Sequence, residues 1–309
     1  MSTDPLALLR AMMLIRAFEA ALIGRADHGF QLLSSGQEAV AVGLCDVLRR
    51  EDRLLSSGRS IAPALARGLD PGQVMAELLG KATGPSKGKG GRGHLAQPSA
   101  GFFGAHAVVG GNLTIAAGLA LALQAEGRRG LVACMFGDGA CGAGSLHETM
   151  NIAALWRLPL LLVCDNNQLS VSTPREAALA PQRLSDLATP FGIPGATVDG
   201  MDVLTVRAAA ATFADRARAG HGPSFLECVS FRFASHSTAT RDTRSASDVD
   251  AALARCPIRR LSAMLREHGV SHDALAEIER GVRDRVAAAG RYADRSPFPD
   301  VAEALLDVV

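Results

Sequence analysis

The sequence predicts an α/β fold: a mostly parallel sheet with helices on both faces, followed by a helical C-terminal tail. Three observations carry this. Residues 131–164 read as a buried strand, a helix and a second buried strand, which requires parallel pairing and a right-handed crossover. A further helix and strand follow at 203–218 and 223–233. Beyond residue 250 the chain is rich in alanine and arginine and reads as helix. The simplest organisation is one unit over 1–309, with a helical N-terminal segment (4–50), an α/β core (about 51–235) and a helical tail (about 248–309).

Taken in order, Asp4-Pro5 opens an apolar pattern of Leu6, Leu9, Met13, Phe18 and Leu22 at helical spacing. Ser2, Thr3 or Asp4 can cap it. "SSGQEAVAVGLCDVLRRED" reads as a turn and a helix from about Gln37, and 71–79 as another helix. "KATGPSKGKGGRG" (81–93) breaks all periodicity. It is either a flexible connector or a mobile basic loop over an anionic ligand. Residues 112–124 are small and apolar and suit a tightly packed helix. Strands at 131–136 and 158–164 flank a helix at 142–156. "PSFLECVSFRF" (223–233) is a strand that runs into the polar loop "ASHSTATRDTRSASD".

Composition removes several functions. Nearly half the residues are hydrophobic and the formal net charge is +1, without the basic excess of a general nucleic-acid binder. No apolar run reaches 18 residues, and "MSTDPLALLRAMML" lacks the basic-then-apolar order of a secretory signal. The six cysteines form no CxxC pair and several sit in apolar runs, as core thiols in a reducing compartment do. The expectation is a cytoplasmic protein with neither membrane nor nucleic acid as partner.

The chemistry concentrates in "FGDGACGAGSLHETMNIAALWRLPLLLVCDNNQL" (136–169). A GDG turn alone is a common strand-to-helix connection, and paired asparagines alone usually mark a turn. Here both follow apolar strands. Asp138 and Asn167 are 29 positions apart, one crossover, so both side chains can meet at one sheet edge. One carboxylate and one amide oxygen suit magnesium, which keeps waters and takes its other ligands from phosphate oxygens. The glycine-rich turn leading into a helix offers backbone amides to an anion. The constellation asks for a diphosphate held through magnesium. Competing phosphate motifs are absent: there is no GxxxxGK[ST], and no GxGxxG opening a first strand–helix unit.

GDG followed about thirty residues later by NN resembles the thiamine-diphosphate signature. The likeness extends from about residue 10 to 290. It includes "SGQEAVAVGL" (35–44), "GKGGRGH" (88–94), "VDGMDVLTV" (198–206) and "HS" (236–237). The chain resembles the alpha subunit of the two-subunit 2-oxo-acid dehydrogenases of pyruvate, branched-chain and acetoin type. That resemblance implies thiamine diphosphate and magnesium as cofactors. It implies that Asp138, Asn167 and the carbonyl of Leu169 bind the metal. Gly137, Gly139 and Ala140 then lie along the diphosphate, Arg59 pairs with it, and Val109 touches the aminopyrimidine. His236 stands near the diphosphate as the catalytic histidine, and Glu148 orients the helix after the motif. A beta subunit completes the site in an α2β2 heterotetramer, and a lipoyl acyltransferase takes the acyl group of a 2-oxo acid or acyloin.

Three places depart from the family pattern. Where a Tyr-Arg-x-His-Gly loop is usual, residues 58–62 read "GRSIA", with Gly58 and Ile61 in place of tyrosine and histidine. Ala234 replaces the first histidine of the second loop, and no Asp-Pro follows. "GAHAVVGG" (104–111) has Ala107 for a glycine and an added His106. The residues expected for cofactor binding are intact while one imidazole for proton handling is gone. The resemblance makes oxidative decarboxylation or acyloin cleavage with transfer to a lipoyl partner the leading function, while Ile61 favours the first of the alternatives. The alternatives are a carboligase or acyloin-cleaving enzyme without a lipoyl acceptor, and a non-catalytic paralogue. His28, His221, His268 and His272 read as surface residues.

Overall fold

Asp4 begins the first helix, α1 (Pro5–Ile23), its carboxylate accepting the Leu6 N–H at 3.0 Å. The computed structural model describes residues 4–25 and 29–306, so Ser2, Thr3 and His28 lie outside it. α2 (Glu38–Cys45) follows, buried on every side. Strand β1 (Arg53–Ser57), α3 (Ile61–Ala66) and α4 (Pro71–Leu78) come next, then β2 (Phe102–His106) and α5 (Gly111–Ala125). The expected strand–helix–strand unit is β3 (Val132–Gly137), α6 (Gly144–Leu155) and β4 (Leu160–Asn166). A short hairpin, β5 (Leu169–Ser170) and β6 (Thr173–Pro174), leads through a four-residue turn of helix, α7 (Arg175–Ala178), to β7 (Gly195–Asp199). α8 (Val203–Arg218) and β8 (Ser224–Val229) complete the core. The tail is α9 (Ala246–Ala254), α10 (Pro257–Glu267) and the 24-residue α11 (His272–Arg295).

The six-stranded sheet has the order β2-β1-β3-β4-β8-β7, and every neighbouring pair is parallel. Its central strands are apolar on both faces, as helices on both sides require. One core cluster joins that sheet to α1, α2, α3, α4, α8, α10 and α11. The other packs α5 and α6 against the opposite face. β1 leads to β2 on one side and β3 to β4 on the other, so the switch point lies between β1 and β3. Their carboxyl ends open a crevice where α/β sheets bind ligands.

Three strands escaped the sequence. β1 ends in two serines, β2 carries Gly104, and β7 is a partly exposed edge strand "GATVD". None has the apolar run that betrays β3 and β4. The strand expected over 223–233 stops at Val229, and 230–233 leave the sheet for the site. All six cysteines are buried and free. Among the described residues no helix is long and apolar enough to cross a membrane.

α2 packs tightly on α8 because Gly43 carries no side chain. A Cβ there would stand 2.9 Å from both the Val203 carbonyl oxygen and Val206 Cγ1. Gly43→Val therefore costs about 1–3 kcal/mol by overpacking. Urea unfolding measures it, and an unchanged midpoint contradicts the packing.

Candidate functional site

The turn after β3 holds the sheet's most conspicuous unsatisfied group. Asp138 is buried, and among the described residues its Oδ2 has no hydrogen-bond partner. Burial raises its pKa, against the backbone amides of Asp138 and Gly139, the Arg232 charge and the Ser170 hydroxyl. Gly139 packs directly on Ser170: a Cβ would lie 2.6 Å from Ser170 Oγ. A buried carboxylate oxygen without a donor costs stability unless a cation meets it. Residues 138–142 form a turn of 3-10 helix before α6, whose first amides have no side-chain cap.

β4 brings the asparagines to the same edge. Gly137 pairs with Asp165 in register, so Asp138 and Asn167 stand one and two residues beyond a fixed rung. The two asparagines then do different work. Asn166 turns inward, donating to Glu227 at 2.7 Å and accepting from Gln168 N at 3.1 Å. Asn167 Oδ1 accepts from Leu169 N at 3.2 Å, with Gln168 at φ 67° between them. This sharp turn carries the Leu169 carbonyl at its end.

Across the switch point, Arg59 follows β1. Its guanidinium donates to the Leu33 carbonyl and, at 3.3 Å, to the His236 carbonyl. Burial lowers its pKa, while Glu19, Asp165 and Asp138 raise it. The structure thus joins Arg59 and His236, two predicted residues 177 positions apart. The segment 31–37 holds both. Gln31 and Thr238 exchange hydrogen bonds, Ser35 O accepts from Phe233 N, and Gln37 donates to Asp165 at 2.6 Å. Glu19 on α1 fixes this segment by accepting from Ser34 N at 2.6 Å and Ser35 Oγ at 3.1 Å. Val109 sits in the loop after β2, 67% exposed, and Ser145 Oγ on α6 ties that loop by bonding Gly110 O at 3.2 Å.

Comparison with known proteins follows these features along the whole chain. Residues 7–302 match the family model described as "Dehydrogenase E1 component". The chain belongs to the dehydrogenase E1 component family.

Relatives include the alpha subunit of acetoin:2,6-dichlorophenolindophenol oxidoreductase from Bacillus subtilis (strain 168), 38% identical over 91% of this chain and 84% of that protein. The pyruvate dehydrogenase E1 alpha subunit of Rhizobium meliloti (strain 1021) is 38% identical over 99% and 90%. That of Zymomonas mobilis is 39% identical over 94% and 84%. This E1 component is an oxidoreductase subunit of the alpha type, and its family is generally thiamine diphosphate dependent.

In this E1 chain, sequence reasoning missed Arg232. Hidden in the strand-like "SFRF", it is 1% exposed, yet its Nε has no hydrogen-bond partner. Among the described residues its terminal nitrogens reach the carbonyls of Ala234 and Val171, each at 3.3 Å. Burial lowers its pKa to about 10, with help from Arg59 and Arg244 and against Asp138 and Asp242. His236 is likewise lowered by burial and by Arg59 and Arg232. An apolar flanking pattern hid this cation, and only the end of β8 at Val229 reveals it. Ile61 faces away from the site, 2% exposed in the main core. Glu148 is exposed on α6.

The glycine–lysine loop is a different object from the one expected. Its anion is internal. The buried Glu77 carboxylate accepts the N–H groups of Ser86, Gly88, Gly90 and Gly91 at 2.8–3.0 Å. Lys87 and Lys89 reach outward to Glu303. The loop's glycines serve a nest of amides around Glu77. Ser60 Oγ, beside Arg59, bonds Arg92 O at 2.9 Å, which attaches the loop to the site.

Burial raises the pKa of Glu19 from 4.5 to about 7, and the neighbouring Glu38 adds to it. A raised acid favours the folded state when protonated. Its contribution is full below pH about 4.5 and is lost as pH rises towards about 7. Asp165, raised by burial to about 6, acts in the same sense over a lower window. Glu19→Gln can keep both hydrogen bonds, because Ser35 Oγ can also accept. Urea midpoints should fall less between pH 4.5 and 7 in Glu19→Gln than in the native chain. Equal falls in both would contradict the assignment.

Proposed function

We propose that this alpha subunit binds thiamine diphosphate through magnesium at the switch point and works in a 2-oxo-acid or acyloin dehydrogenase complex. The observation that carries the reading is the orphaned Asp138 Oδ2 at a crevice otherwise rich in basic groups. Among the described residues no three His, Cys, Asp or Glu side chains form a metal cluster. That fits a magnesium ion with one protein carboxylate and phosphate oxygens for the rest. Asp138, the Asn167 amide oxygen and the Leu169 carbonyl would hold the metal. Gly137, Gly139 and Ala140 would give the diphosphate a close backbone approach, and a side chain at Gly139 would displace Ser170 from the same turn. Arg59 and Arg232 balance its charge, and His236 lies on the loop that Arg59 draws in. Val109 would support the pyrimidine.

When bound, the cofactor supplies the electron sink that lets the bond beside a carbonyl break. The chain's own part is to bind, orient and dry the site. Burial of Arg59 and Arg232 removes water that would otherwise screen their charge. The 31–37 segment holds the loops rigid through Glu19 and Gln37.

Support for a shared site comes from the surface beside it. Val108 and Val109 in the loop after β2 and Ile115 near the start of α5 are exposed, Val108 at 71%. We infer that a beta subunit covers this apolar face and completes the cofactor site, as the relatives' designation as alpha subunits suggests. An α2β2 heterotetramer that passes the acyl group to a lipoyl acyltransferase follows from this reading. So does the view of 1–309 as a single diphosphate-binding unit. Relatives named for pyruvate and for acetoin match at equal identity, so the substrate class is a 2-oxo acid or an acyloin.

Asp138→Ala should weaken magnesium-dependent thiamine diphosphate binding by at least about 100-fold, beyond the usual effect of an outer-shell partner. Calorimetry on the complex with the beta partner measures it, and native affinity would sink the metal assignment. The alpha chain alone should turn over neither pyruvate nor acetoin with an artificial electron acceptor. Turnover at the rate of the complex would contradict the shared site.

A further inference from the structure

Three segments that carry site residues meet at Gly58. It follows Ser57, the last residue of β1, and precedes Arg59. A Cβ placed on it would lie 3.7 Å from Leu32 Cδ1 and 3.8 Å from both the Ala107 Cα and the His106 carbonyl oxygen. Leu32 stands between Gln31, which exchanges hydrogen bonds with Thr238, and Leu33, whose carbonyl accepts from Arg59. Ala107 opens the loop that carries Val108 and Val109. Gly58 therefore lies between the segment that holds Arg59 and the His236 loop, on one side, and the loop assigned to the pyrimidine on the other.

Neither backbone nor packing demands glycine here. Gly58 does not have the left-handed φ that favours it. Among the described residues the nearest atoms stand at ordinary contact distance, so a methyl group would fit without displacing a neighbour. The position is half-buried, as is Leu32, while Ala107, Val108 and Val109 are exposed. What glycine leaves is a recess with apolar walls beside Arg59, where the family usually places a tyrosine. The two other replacements nearby do not refill it. Ile61 is buried in the main core, and the Ala107 methyl lies towards Gly93, 3.3 Å from where a Cβ there would stand.

We propose that Gly58 sets the substrate specificity of this site. The recess takes the aliphatic group on the substrate's reacting carbonyl, so the complex favours chains longer than the methyl groups of pyruvate and acetoin. The proposal rests on the thiamine-dependent reading above. Walls made of Leu32 and the 107–109 loop offer the chain no charged partner, so what they reward is apolar surface removed from water. A longer 2-oxo acid and a longer acyloin present the same aliphatic group, and the recess serves either.

The test uses the complex with its beta partner, native and with Gly58→Ala or Gly58→Leu. One arm compares pyruvate with 2-oxohexanoate and the other acetoin with butyroin, each with an artificial electron acceptor, so the arms separate acid from acyloin. In at least one arm the native complex should prefer the longer substrate by about tenfold or more in kcat/KM, the scale on which an apolar pocket discriminates a methylene. Gly58→Leu should reverse that preference, chiefly by raising KM for the longer substrate. Gly58→Ala should reduce it by about tenfold, the effect of one methyl group in the pocket. Thiamine diphosphate affinity by calorimetry should stay within about twofold of native in both variants. A native preference for the shorter substrate in both arms would overturn the proposal, as would turnover of none of the four with the cofactor bound. So would a preference unchanged in Gly58→Ala, which decides the matter if Gly58→Leu does not assemble. A tenfold loss of cofactor affinity in Gly58→Ala would also overturn it, by making the recess part of the cofactor's own seat. Failure of the cofactor reading itself shows separately, as native thiamine diphosphate affinity in Asp138→Ala.

Discussion

The parallel pairing of β3 with β4 is the constraint on which the rest depends. Six consecutive rungs, from Val132 with Leu160 to Gly137 with Asp165, leave no freedom in register. A slip of one residue would exchange the side chains that the two helical layers are packed to receive. The same rungs that satisfy the core therefore deliver Asp138 and Asn167 to one edge. β1 then pairs with β3 through Arg53, Leu54 and Leu55, and brings Arg59 to the opposite lip of the crevice. Geometry that serves packing at one end of the strands serves ligand binding at the other.

Around that crevice, buried charges are arranged in layers. Carboxylates with internal partners lie behind it: Glu19 on the Ser34 and Ser35 turn, Asp165 on Gln37 and Ser230, and Glu227 on Asn166 and Thr197. They shape the loops. In front stand groups that the chain leaves incompletely satisfied, Asp138 Oδ2 and the Arg232 guanidinium. A fold carries unpaired buried charge at a cost, and such groups cluster where a ligand completes them. The division explains why Asn166 and Asn167, adjacent and identical, have separate duties: one is anchored behind the crevice, the other closes the turn in front.

Much of this was legible in the sequence where local pattern and position coincide. β3 and β4 are apolar runs bounded by glycine and asparagine, so their parallel pairing and the edge they share could be read directly. Asp4-Pro5 marks the start of α1 with equal clarity. β1, β2 and β7 were illegible because they are short and half polar, and their strand character comes from neighbours in the sheet. Arg232 was invisible for the opposite reason: its apolar flanks imitate a strand, and only the end of the sheet at Val229 frees it for the site. The 81–93 loop was misjudged because composition reports basic and flexible residues but not what fills the space beneath them.

The carboxylate beneath that loop has a consequence for how the chain gains and loses structure. Glu77 belongs to α4, so the nest of amides cannot close before that helix exists, and it opens when the helix frays. Loop and helix thus form one cooperative unit despite the loop's irregular backbone. Ser86, Gly88, Gly90 and Gly91 would exchange their amide hydrogens with solvent as slowly as the end of α4 does. A segment that resembles a disordered linker by composition is thereby as persistent as the secondary structure beside it, and proteases that favour glycine-rich surface loops would find little purchase there.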